Sequence, residues 1–119
     1  MRLFLSGIVL LTVFQTASYA GESLGGVASK GVDHDVISDS SSAGCENLSD
    51  IGAAELFIGT HLNPNSALND FSCEALGYRT RLHGLESEGR NFLKVTAPPS
   101  SSFSTLWIDV GHGDWRSLD

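Results

Sequence analysis

His112 stands in Gly111-His112-Gly113-Asp114, with Asp109 and Asp114 near enough along the chain for a carboxylate to orient or charge its ring. That pairing is the raw material of general acid–base chemistry, and a small hydrolase or toxin using His112 with Asp109 or Asp114 is one reading of the chain. The pattern offers no second catalytic group: none of the many serines stands in G-x-S-x-G. Glu86 and Glu88, two residues apart across a turn, are expected to face solvent. Of the other histidines, His34, His61 and His83, none pairs at ligand spacing, and Asp33-His34-Asp35 lies in a solvated acidic stretch. No metal or cofactor is expected, and the enzyme reading ranks second.

Two cysteines, Cys45 and Cys73, are the whole complement. With no C-x-x-C and no paired histidine nearby, they read as one disulfide, although a bridge to another protein stays open. Closing that loop removes roughly 3–4 kcal/mol of unfolded-chain entropy, a large share of the stability of so small a domain. Asn47-Leu48-Ser49 is a glycosylation sequon whose closeness to Cys45 could hinder either modification. Trp107 and Trp115 alternate away from the aliphatic face of the last strand or follow it. They are candidate contact residues for a partner protein, or else edge-of-core packing.

The elements that would position these residues come from periodicity. Leu48 to Phe57 reads as a helix after Asn47 or Ser49, weakened by Gly52, and Glu55-Leu56-Phe57-Ile58 could instead begin a strand. A second helix is expected from Asn65 or Ser66, with Leu68, Phe71 and Ala75 at three- and four-residue steps and Gly77 as its stop. Beyond Gly77 the pattern alternates, predicting strands over 78–86, 92–97 and 106–110. Val32–Ile37 could add a short edge strand. The expected fold is α+β: an antiparallel sheet of three to four strands, one or two helices packed on one face, and one disulfide.

Three segments divide the chain. Residues 1–20 have a positive start at Arg2, an apolar run from Leu3 to Phe14, and small residues before a cut after Ala20, the layout of a secretory signal peptide. Residues 21–44, rich in Gly, Ser and Asp, read as a flexible arm. Residues 45–119 read as the compact domain. The formal charge of −7 becomes one more negative when Arg2 leaves with the signal. Phosphate backbones and anionic lipid would repel such a body, so neither nucleic acid nor a membrane is an expected partner. Arg79, Arg81, Arg90 and Lys94 cluster mid-chain and read as a solvated strand face rather than an anion site.

Signal peptide, acidic mature chain, one cysteine pair and no catalytic set together resemble the small secreted effectors of plant-pathogenic fungi, the secreted-in-xylem type of Fusarium among them. In layout the chain is also similar to α+β effectors related to killer-toxin folds. Phe71-Ser72-Cys73 resembles the aromatic-x-Cys motif of mildew and rust effectors, though it lies mid-chain. The resemblance implies a secreted virulence factor, working outside or inside host cells by binding a host protein or a companion effector. The outcomes it implies are cell-to-cell spread or immune recognition. It carries over no functional residue.

Overall fold

A computed structural model describes residues 22–60, 68 and 71–118. The expected signal peptide and His61 lie outside the described residues, as does most of the segment 61–70. Eight strands and one helix are present among them: β1 (Glu22–Ser23), β2 (Asp35–Ser38), β3 (Ser42–Cys45), α1 (Ile51–Thr60), β4 (Cys73–Leu76), β5 (Arg81–Glu88), β6 (Phe92–Thr96), β7 (Thr105–Asp109) and β8 (Trp115–Leu118). They form one antiparallel sheet in the order β1-β8-β2-β5-β6-β7-β3-β4. The expected sheet of three to four strands with helices on one face is therefore corrected to a mostly β fold of eight strands with one short helix.

The sheet folds over on itself at β5. Its first residues pair with β2, Asp35 opposite His83 and Ile37 opposite Arg81. From Gly84 onward it pairs with β6, with a register shift between Gly84 and Glu86. Such a bulge bends a strand and sharpens its twist. The two halves then face each other across a core in which Leu24, Val36 and Trp115 meet Leu93, Val95, Leu106 and Ile108. Gly84 makes the bend possible, because a Cβ there would stand 2.0 Å from the Gly31 carbonyl oxygen. Around that contact Gly84 N–H donates to the His34 carbonyl at 2.8 Å, and Asp33 N–H donates to the Gly84 carbonyl at 2.9 Å.

The Gly/Ser/Asp-rich stretch expected as an arm supplies β1, β2 and β3. β2 is no edge strand: it lies between β8 and β5. Val36 and Ile37 are both buried, and Ser38 is buried with its hydroxyl donating to the Gly77 carbonyl at 2.7 Å and accepting Thr80 N–H at 2.9 Å. Those bonds pin the turn before β5, which is why that strand starts at Arg81 rather than Tyr78. β3 (Ser-Ala-Gly-Cys) is buried throughout. Its small side chains let Leu106 and Leu76 close on Gly44, where a Cβ would meet their methyl carbons at 2.9 and 3.0 Å. Hydropathy does not mark such a strand.

α1 begins within three residues of the expected helix and packs on the outer face of β3. There Ile51 and Ala54 join Ala43, Cys45, Leu68 and Cys73 in a second core. The second expected helix ends differently, since Cys73–Leu76 is a strand. Cys73 and Ala75 face the second core while Leu76 enters the main one, so both faces are apolar and the alternation is masked. The Cys45–Cys73 disulfide is present, its residues directly opposite one another with Cα atoms 4.0 Å apart. Glu46 N–H donates to the Ser72 carbonyl beside them, so this is the close, non-hydrogen-bonded kind of cross-strand pair.

Two stability outcomes follow from these contacts. Gly84→Ala forces a methyl onto main-chain atoms that cannot rotate away, and should lower unfolding free energy by about 3 kcal/mol. Urea titration should show the loss as a lower midpoint at unchanged slope. Replacing Cys45 and Cys73 together by Ala frees a loop of 28-residue separation. The expected loss is about 3–4 kcal/mol, read in the same titration.

Candidate functional site

A row of side chains crosses the outer face of the β6-β7-β3-β4 half. The register sets Glu86 opposite Lys94, Lys94 opposite Trp107, Trp107 opposite Cys45, and Cys45 opposite Cys73. Each step is a physical link. Lys94 Nζ is 3.6 Å from Glu86 Oε2 and 5.8 Å from the Trp107 ring centroid, and the disulfide closes the far end. Trp107 is half-buried, with one part packed against the second core alongside Phe92. The result is an aromatic platform with a cation above it and a covalent clamp beside it.

Trp115, the other candidate contact residue, is fully buried in the main core, and its indole N–H finds no partner among the described residues. Burial removes it from any contact surface. It lies on β8, whose alternating face points inward between β1 and β2. Asn47 is exposed, and its side chain makes no capping bond to the short 3-10 turn Leu48–Asp50 that follows.

His112 meets one of its two expected carboxylates. Its Nε2 is 3.2 Å from Asp109 Oδ2, while Asp109 Oδ1 accepts Gly111 N–H at 2.8 Å, so the aspartate braces the turn and the ring together. His112 remains 72 % exposed. Asp114 instead accepts the Ser40 hydroxyl at 2.9 Å. The fold adds a member that the sequence did not announce: Glu55 of α1, whose Oε2 accepts Ala43 N–H at 2.9 Å and ties the helix to β3. Burial raises its pKa above the ordinary 4.5. The Ala43 N–H opposes that rise, the Asp109 and Asp114 charges add to it, and His112 works against it. Among the described residues no group of three or more His, Cys, Asp or Glu could hold a metal ion.

A second constellation escaped the sequence. Asp35, read as part of a solvated arm, sits on β2 and bridges two residues of β5: Arg81 Nε and His83 Nδ1 are each 2.9 Å from its carboxylate. Those two hydrogen bonds, His83's first and Arg81's second, hold its pKa below the usual value. Arg81 and His83 alternate with buried Leu82, so their common face was legible; Asp35 comes from 46 residues away. Beside them opens a cleft of about 570 Å³, with Arg81, Leu82 and His83 on one side and Thr96 to Pro99 on the other. Of the remaining sequence candidates, Glu86 pairs with Lys94 and Glu88 lies opposite Phe92, both exposed.

Glu55 generates a pH test. A carboxyl whose pKa is raised on folding contributes stability that is present at low pH and lost as pH rises through the raised value. Glu55→Gln keeps an acceptor for Ala43 N–H and removes the titration. The variant should therefore lose the gain in stability that the unaltered protein shows as pH falls from neutral toward 4.5. Thermal unfolding at a series of pH values checks this. Compared with known proteins, the chain matches no family model, no curated protein and no solved structure.

Proposed function

We propose that this protein is a secreted virulence effector that acts by protein–protein contact in or around host plant cells, with Trp107 as its anchor. The observation that carries the reading is the row Glu86–Lys94–Trp107–Cys45–Cys73. A half-exposed indole fixed from both sides loses little conformational freedom when a partner closes over it. Rigid aromatic anchors of this kind dominate binding energy at interfaces. Secretion matches the disulfide, a bond that persists in oxidising compartments. On that route Asn47, exposed near the same clamp, is open to glycan attachment.

A second reading is a small secreted hydrolase using His112 with Asp109, favoured by their 3.2 Å contact. The two separate by mutation. Immobilised protein should retain a specific host protein from infected tissue. Trp107→Asp should weaken that retention by about 30-fold or more, at unchanged circular dichroism. Lys94→Glu, which spares the core, should weaken it in the same direction. His112→Ala should bind as the unaltered protein does. Turnover of a substrate that His112→Ala abolishes, with no protein retained, would establish the second reading instead.

A further inference from the structure

Asn47 is the acceptor of the one Asn-x-Ser/Thr sequon in the chain, Asn47-Leu48-Ser49. An asparagine just ahead of a helical turn ordinarily serves as its cap, its side-chain oxygen accepting a main-chain N–H of the first turn. Asn47 occupies that position before Leu48–Asp50 and makes no such bond. Capping therefore does not account for the amide. Asn47 is exposed, and so is Ser49, whose hydroxyl the transferring enzyme must also read. The fold leaves both ends of the sequon in water.

The end of β3 carries this asparagine to the margin of the aromatic platform. Cys45 lies directly opposite Trp107, and both side chains pack on the second core. Glu46 N–H donates to the Ser72 carbonyl at 2.9 Å, so the strand runs on past its last ladder residue. Asn47 itself is extended, at φ −107° and ψ 128°. Side chains two apart share a face of an extended chain, which sets Asn47 on the Trp107 side of the sheet, about 7 Å beyond Cys45. Around the indole, Lys94 stands on the β6 side and the second core supplies the packing. The rest of the ring is in solvent.

We propose that Asn47 carries an N-linked glycan whose first sugars lie over the solvent-exposed part of Trp107. The proposal rests on the secretion and Trp107 readings above and adds a regulation to them. A bulky, hydrated chain at this place narrows the approach to the anchor, so the form without it binds a partner more tightly. The donor is an oligosaccharide held on a polyprenyl diphosphate. The bond from Asn47 Nδ2 to the sugar C1 forms as the bond from C1 to the diphosphate oxygen breaks, and the amide proton leaves with the diphosphate. The first two rings of such a glycan are longer than the gap they must cross.

The test expresses the full chain in a eukaryotic secretion host grown on a ¹⁵N nitrogen source. Peptide mass spectrometry should place a glycan on Asn47, and Asn47→Gln and Ser49→Ala should both be secreted without one. Trp115 is fully buried, so its indole signal serves as the internal control. Between the glycosylated protein and either variant, the Trp107 indole N–H signal should shift while that of Trp115 stays in place. Acrylamide quenching of fluorescence should be about twofold weaker with the glycan present. A bare Asn47, whether the chain is secreted or held in the cell, overturns the proposal. So does a glycan that leaves both the Trp107 signal and the quenching unchanged. Host-protein retention tests the reading beneath. Asn47→Gln should hold the partner at least about threefold more tightly than the glycosylated form, and equal retention overturns the regulation. If neither form retains a protein, the anchor reading fails, while a shifted Trp107 signal leaves the position of the glycan standing.

Discussion

The main chains of Gly84 and Gly31 approach so closely that no side chain fits between them. On that contact depends the way one sheet becomes two facing layers. β5 spends its first residues with β2 and the rest with β6, bending at the bulge between Gly84 and Glu86. A straight strand would continue one flat sheet and leave Val36, Leu93, Leu106 and Trp115 without one another. With the bend, they share a core of fully buried side chains, each exempt from contact with water.

The other end of the sheet is organised differently. There α1 covers β3 and β4, a second core fills the gap, and the disulfide joins the two strands at directly opposed positions. Glu55 adds a polar tether from the helix to the Ala43 N–H. Trp107 lies at the margin of this region, with part of its ring in the second core and part in solvent. Its rigidity and its exposure thus have the same origin, a helix that covers β3 but stops short of β6.

How much could be read in advance varied with how side chains report burial. β6 and β7 have one buried and one half-exposed face, so Leu93 and Val95, then Leu106 and Ile108, alternate visibly with their neighbours. β3 is covered on both faces and built from Ser, Ala, Gly and Cys, whose small size suits tight packing and also resembles a linker. β4 combines Cys73 and Ala75 for one core with Leu76 for the other, and that spacing imitates a helix. At the candidate site, Trp107 with Lys94 followed from strand alternation, and so did Arg81 with His83. Trp115 misled because its strand was not anticipated, and Asp35 because its partners are remote in sequence.

The sequence by itself determined the acidic balance and the two best-marked strands, and it favoured one internal disulfide and the first helix, since each depends on residue count or on neighbours a few positions away. Tertiary structure alone decided that residues 22–45 belong inside the sheet, that Trp115 is buried while Trp107 is not, and that Asp35 meets Arg81 and His83. Those outcomes depend on which strands become neighbours. That choice is made by main-chain hydrogen bonds and close glycine contacts between segments tens of residues apart, and these leave no local pattern in the chain.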